Sequence, residues 1–268
     1  MNRCARLFST VVATVAVLAA STGAIGCAGA GDGEPENAES TGEEADALAT
    51  VALGCDSNGS TLDIAFARSR GVGFVARYLS FDGAHPALTH DEADRFRAVG
   101  MPLVAIWEVG QRRAVEGGSL AAEHAAGVAD ARQASAQLAA VGGAGKPIYF
   151  TVDFDVTPEL WSSKTKDAKT GKVIERGQLI LAYFGGIDSV IGVHRTGAYG
   201  TYTTMKGLFA GGKIAYGWQQ TFGNRKDHID ARAQLRQYDI YPDQARWRVG
   251  GAGALDLDRA VKHDFGQW

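Results

Sequence analysis

The chain has 268 residues, 46% of them hydrophobic and 21% charged, with 35 glycines and a formal net charge of −3. That is globular composition, enough for one large domain or two small ones. With no basic excess, nucleic acid is not expected as a partner.

Arg3 and Arg6 precede an apolar run from Leu7 to Ala20, and small residues follow up to Cys27. A basic start, an apolar stretch of this length and small residues at the exit form an export signal over residues 1–27, not a membrane span. Ala24-Ile25-Gly26-Cys27 resembles a bacterial lipobox, whose cysteine is lipidated. Ala24 stands where Leu is usual, so plain signal cleavage is the alternative. Residues 28–50 are rich in Gly, Ser, Thr, Glu and Asp, with no Lys, Arg or aromatic. Such a segment buries too little apolar surface to fold and reads as an acidic tether. The expected product is exported, either lipid-anchored in the cell envelope or secreted, with its folded domain at 51–268. Cys4 leaves with the signal. If Cys27 carries lipid, only Cys55 remains, and it reads as a buried structural thiol.

Strand one is expected at Val51–Asp56, a short apolar run ending in an acid. Ser60 to Arg70 reads as a helix capped by Ser60. Strand two follows at Gly73–Tyr78. Thr89-His90-Asp91-Glu92 is a capping box for a helix that ends at Gly100. Strand three is Met101–Glu108, and Ser119 caps a long Ala-rich helix to Ala140. Gly142-Gly143-Ala144-Gly145-Lys146 turns into strand four, Pro147–Asp155. A phosphate loop needs a helix after its Lys, and Pro147 with a strand follows here instead. Residues 157–172 read as a polar insertion, and 173–191 as a helix. Strand five at Arg195–Gly200, a helix at 201–210, strand six at Lys213–Gln219, strand seven at Ala233–Tyr238 and strand eight at Ala254–Asp258 complete the series, with a brief closing helix.

Strands alternating with helices imply parallel pairing through crossovers. Eight strands in about 215 residues fit an α/β fold of the (β/α)8 TIM-barrel type with one or two degenerate helices. A doubly wound sheet is the rival, weakened because no Gly-x-Gly-x-x-Gly follows strand one.

The barrel reading collects Asp56, Glu108, Asp153, Asp155 and Asp256 near the C-terminal ends of four strands, which converge on one mouth. If strand four runs to Asp155, then Asp153 and Asp155 share a face about 6.6 Å apart at the backbone, close enough to couple. Tyr78, Trp107, Phe154, Tyr199 and Trp218 accompany these acids. Rings among carboxylates suit a sugar, whose C–H face stacks on the rings while the acids take hydroxyls and drive glycosidic cleavage. The plainer account makes the rings barrel core and the acids helix caps.

Gly54-Cys55-Asp56, Ala76-Arg77-Tyr78, Tyr149 to Asp155, Gly197-Ala198-Tyr199-Gly200, Trp218-Gln219 and Leu255-Asp256-Leu257 occur in one order over nearly the whole domain. In this the chain resembles the DUF1906 family, the Rv2525c-like glycoside-hydrolase-like domain, itself related in fold to the muramidases of glycoside hydrolase family 25. The resemblance implies a (β/α)8-type barrel, export and a carbohydrate site at the barrel mouth. By position, Asp56 matches the muramidase strand-one acid, Asp153 and Asp155 the Asp-x-Glu pair, and Asp256 the late-strand Asp. Asp155 stands where those enzymes carry Glu and is shorter by one methylene.

The expected activity is hydrolysis of a cell-wall or related polysaccharide, peptidoglycan included. Asp155 would be the general acid, and Asp153 would orient the substrate acetamido group or stabilise the oxocarbenium centre. Asp56 and Asp256 would shape their charge. Glu108, Arg77, Tyr78, Trp107, Tyr199, Trp218 and Gln219 would bind substrate. No cofactor is expected, and the six histidines show no metal-ligand spacing. The protein is expected to work as a monomer. The rival readings are a silent glycan-binding envelope barrel of the same fold and, more remotely, a hydrolase with a carboxylate-only metal site.

Overall fold

Alternation along short strands decides this architecture. The computed structural model describes residues 50–57, 62–79, 87–220, 228–240 and 255–268. The chain divides into two units, Met1–Asn37 and Ala38–Trp268, and every described residue lies in the second. The signal, the lipobox, most of the tether and Ser60 fall outside the described residues.

Eight strands close into a barrel in the order β1 (Ala52–Ser57), β10 (Leu255–Ala260), β9 (Leu235–Ile240), β8 (Tyr216–Gln219), β7 (Thr196–Gly200), β4 (Ile148–Thr151), β3 (Leu103–Trp107) and β2 (Val72–Leu79). Seven run parallel, while β10 is antiparallel to both its neighbours, β1 and β9. The expected all-parallel closure is corrected at this strand. Because β10 runs backwards, its first residues lie at the mouth, beside the C-terminal ends of the others. Asp256 pairs with Asp56 for that reason.

Along each strand, one set of side chains faces the barrel interior. Phe74, Ala76, Val104, Ile106, Tyr149, Trp218, Leu235, Ala260 and Phe265 form one buried cluster without a helical member. Their neighbours Val75, Leu103, Ala105, Trp107, Ile148 and Phe150 pack outward with helical residues such as Phe96, Leu138 and Tyr183. This is the period-two partition expected of a sheet buried on both faces. Space inside is tight. A Cβ on Gly54 would lie 2.2 Å from the Phe74 ring, so glycine there makes room for the large interior residue.

The crossover helices are α1 (Ile64–Ser69), α2 (His90–Ala98), α3 (Leu120–Ala140), α4 (Pro158–Ser162), α5 (Arg176–Ile191) and α6 (Tyr202–Ala210). Thr89, Ser119, Thr157 and Thr201 each accept a backbone N–H at a helix start, which satisfies a donor the helix leaves unpaired. Asp63 caps α1, later than the Ser60 start expected. Helices α3 and α5 cross closely: a Cβ on Gly127 would lie 2.0 Å from the Tyr183 carbonyl oxygen.

The insertion is more ordered than its polar composition suggests. It holds α4 and a hairpin of β5 (Lys164–Lys166) and β6 (Val173–Glu175), so the expected helix over 173–191 begins only at Arg176. Asp167 in the hairpin turn accepts from Leu120 N at 2.8 Å and so fastens the insertion to the start of α3. The expected closing helix is absent among the described residues. Instead the C-terminal tail seals the barrel floor. Trp268 exchanges two backbone hydrogen bonds with Leu103, and the Phe265 carbonyl accepts from the Tyr149 hydroxyl at 2.8 Å.

Candidate active site

At the mouth, the interior-facing positions of five strands become polar. Asp56 on β1, Tyr78 on β2, Tyr199 on β7, Gln237 on β9 and Asp256 with Asp258 on β10 line it. Glu108 follows directly after β3 and Asp153 two residues after β4. Glu108 continues the inward alternation of Ile106, and Asp153 lies near enough for its charge to act on Glu108, Tyr78 and Tyr199.

The deep half is a hydrogen-bond network that leaves one buried oxygen, Asp258 Oδ2, without a partner. Gln237 donates from Nε2 to Asp56 Oδ2 at 3.0 Å and to Asp256 Oδ2 at 2.9 Å. Its Oε1 accepts from the Tyr199 hydroxyl at 2.7 Å. Below them, the Trp218 indole N–H donates to Asp258 Oδ1 at 3.0 Å, and Trp218 meets Tyr199 edge to face at 5.3 Å. Asp56 is 5% exposed and Asp258 is fully buried. Burial pushes the Asp56 carboxyl up to about 8, and the neighbouring Asp256 and Glu108 charges add to this while Gln237 and Tyr78 oppose it. Asp258 is held well above the carboxylate range, first by burial and then by Asp56 and Asp256. Asp56 and Asp258 are therefore both biased toward their protonated forms.

The outer half is the pair Glu108 and Asp153, both half-buried. Burial raises Glu108 to about 7, helped by the Asp153 charge. Burial also raises Asp153, against a hydrogen bond from Gln111. One half-buried acid that keeps its proton near neutrality, beside a second carboxylate, is the chemistry a general acid and its partner require.

The structure separates the expected residues into three groups. Asp56, Glu108, Asp153, Asp256, Tyr78 and Tyr199 come together at the mouth. Asp155 does not continue their face, because β4 ends at Thr151 and the expected strand to Asp155 is not formed. Its side chain is exposed beyond the bend at Phe154. Arg77, Trp107, Trp218 and Gln219 are each about 1% exposed and are corrected as substrate contacts. Arg77 and Trp107 point outward because they occupy the alternate positions of β2 and β3. Arg77 is spent on Glu92, with Nε to Oε1 at 2.7 Å and a second bond of 3.0 Å. Trp218 is floor, and Gln219 pins the segment after β8 through the His228 carbonyl at 2.6 Å and Asp230 N at 2.9 Å.

Sequence reasoning passed over Gln237, Asp258 and Gln111. The Asp256-x-Asp258 spacing gives both acids one face in either direction, but only the antiparallel run of β10 brings this end of the strand to the mouth. No group of three or more His, Cys, Asp or Glu residues is arranged to hold a metal ion among the described residues.

Residues 65–263 match the Rv2525c-like, glycoside hydrolase-like domain. The chain belongs to that family. The Mycobacterium tuberculosis protein Rv2525c, which carries the provisional name peptidoglycan hydrolase, is 29% identical over 180 residues. That match covers 66% of this chain and 65% of the relative, just under two thirds of its length. Its crystal structure, described as that of a Tat-secreted protein in complex with L-tartrate, superposes with a TM-score of 0.64 at 26% identity. The superposition covers 82% of this chain and 100% of that one. A muramidase from Acremonium alcalophilum is a fainter match, at 14% identity with a TM-score of 0.44 over 80% of this chain and 94% of that one. The family match and the Rv2525c structure agree with the barrel fold and its glycoside hydrolase-like description.

Proposed function

We propose that this domain is an exported glycoside hydrolase that cleaves a peptidoglycan-type or related cell-wall polysaccharide, with Glu108 and Asp153 carrying the chemistry. The observation that carries this reading is the half-buried Glu108, whose proton is held up to about 7 beside the Asp153 carboxyl. Glu108 would protonate the glycosidic oxygen as its bond to the anomeric carbon breaks. The carbonyl oxygen of the sugar's own acetamido group would close on that carbon, and ionised Asp153 would orient the group and balance its developing positive charge. Water then attacks the same carbon, gives its proton to Glu108 and reopens the ring, so the acid is restored. Tyr78 and Tyr199 would offer ring faces and hydroxyls to the sugar.

Asp155 is the rival acid, by its position in the family pattern. Its exposure beyond the bend at Phe154 argues for a role at the rim. Export rests on the Arg3 to Cys27 signal pattern and agrees with the Tat-secreted relative, and anchoring through Cys27 belongs to the same proposal.

Digestion of purified peptidoglycan and a small polysaccharide panel, read by mass spectrometry, tests the proposal. Glu108→Gln is expected to lose 10²-fold or more of the activity, on the order of what a general acid supplies, and Asp155→Asn far less. Equal activity of Glu108→Gln and wild type refutes the assignment. Glycan binding without any release of reducing ends would select the silent barrel instead.

A further inference from the structure

Gln237 has an arrangement the proposed reaction does not by itself require. It lies on β9, 3% exposed, and every polar atom of its side chain is engaged. Its two bonds to Asp56 and Asp256 use Nε2, and its bond from Tyr199 uses Oε1. A primary amide owns two N–H groups and one carbonyl oxygen. Each carboxyl therefore receives one hydrogen, and the carbonyl receives the phenol.

This biases where a proton can sit on each carboxyl. An oxygen that accepts a short N–H···O bond along that line cannot also present a proton along it. Oδ2 of Asp56 and Oδ2 of Asp256 both accept from the amide, and a carboxylic O–H oxygen is the poorer acceptor, so the arrangement favours a proton on Oδ1 of either residue. The reversed amide would set Oε1 against both Oδ2 atoms. It is stable only if both acids carry protons there, and it would leave the Tyr199 hydroxyl to accept instead of donate.

We propose that Gln237 is a positioning residue of the mouth, which holds Asp56 and Asp256 as a pair with one proton between them and confines that proton to an Oδ1 atom. The pair then presents one negative charge over the neutral range, instead of two or none. As a role in catalysis this rests on the glycoside hydrolase reading, because it acts through the charge that Glu108 and the substrate experience. The groups that face Asp56 among the described residues are Tyr78 on β2, Glu108 after β3, Tyr199 on β7, Gln237 on β9, and Asp256 and Asp258 on β10. Gln237 is the amide in this set and the residue that contacts both members of the pair. Its effect on Asp56 runs opposite to burial and to Asp256, so removing it must favour the neutral form.

The test is carbon-13 NMR titration of aspartate carboxyl groups in the full chain, for wild type and Gln237→Met. The Met variant keeps length and volume but offers neither donor nor acceptor. The proposal expects the first ionisation of the pair to move up by a unit or more in Gln237→Met. In Gln237→Glu, which returns an acceptor for Tyr199 without the donors, a further proton should be taken up. A folded Gln237→Met with an unchanged titration overturns the proposal, as does a deuterium isotope shift that places the proton on Oδ2. If Met does not fold, Gln237→Asn supplies the same comparison, since its shorter amide can reach one carboxyl but not both. These readouts need no turnover. A shifted titration in a protein that cleaves no glycan would sink the hydrolase reading and leave this one standing. On active protein, the alkaline limb of kcat should move to lower pH in Gln237→Met as the NMR midpoint of the pair moves up, because a neutral pair repels the Glu108 charge less, and a purely structural loss would not produce this opposed shift.

Discussion

Asp153 and Glu108 stand at the ends of adjacent parallel strands, and the charge of the first adds to burial in holding a proton on the second up to about 7. An acid that must be protonated to act loses its function as pH rises through its pKa. The kcat/KM profile should therefore fall above about pH 7. In Asp153→Asn the repulsion is gone, Glu108 ionises earlier, and the alkaline limb should move to lower pH. Asp155→Asn should leave it in place. Where Asp153→Asn is too slow to assay, the Glu108 carboxyl signal followed by NMR reports the same shift. An unmoved Glu108 midpoint in Asp153→Asn would break the link between the two residues.

The deep acids predict an unusual dependence of stability on pH. The carboxyl of Asp56 goes from an ordinary value of 3.8 to about 8 on folding. The folded state thus binds the proton more tightly than the unfolded state. Stability contributed by neutral Asp56 is complete below about 4 and is lost as pH rises toward 8. Glu108 adds a slope of the same sign from 4.5 to about 7. Asp56→Asn, which cannot ionise, should flatten the curve and exceed wild type at pH 8 by on the order of 1–3 kcal/mol. Urea unfolding at pH 5 and pH 8 measures it, and a wild-type protein more stable at pH 8 than at pH 5, with Asp56→Asn following the same slope, would contradict it.

Much of the fold was legible because short apolar runs ending in acids alternate with capped helices. Thr89 and Ser119 cap where their sequence context places them. What the sequence could not carry was direction. Nothing local to Leu255-Asp256-Leu257-Asp258 marks β10 as antiparallel, since a strand reads alike in both senses. The run Pro147 to Asp155 misleads differently. Its residues from Ile148 to Val152 are strand formers, but pairing with β3 ends at Phe150, the last bond to β7 runs from Val152 N to the Tyr199 carbonyl at 2.9 Å, and the chain bends at Phe154. The same-face argument for Asp153 and Asp155 therefore depended on a ladder that tertiary pairing ends early. Gln237 was illegible for another reason: it matters through contacts with Asp56, Asp256 and Tyr199, residues far away in the chain.

Arg77 shows how a site-like motif can be framework. Next to Tyr78, it looks placed to meet substrate, but alternation along β2 turns the two in opposite directions. The guanidinium makes two bonds to Glu92 on α2 and donates to the Ser57 carbonyl at 2.6 Å, with 1% exposure. This ties β1, β2 and α2 together directly behind Asp56. Removing one partner strands a buried charge, so Arg77→Ala or Glu92→Ala should each lose about 3–5 kcal/mol of stability. Arg77→Lys should recover little of it, because an ammonium cannot reproduce the two-pronged geometry. Replacing both, as in Arg77→Met with Glu92→Leu, should lose much less than either alanine variant, since no charge is left unpaired. Chemical denaturation of the four variants measures these differences. The accompanying kinetic expectation is an unchanged KM for any variant still folded at the assay temperature. A raised KM in stably folded Arg77→Met with Glu92→Leu would return Arg77 to the substrate site.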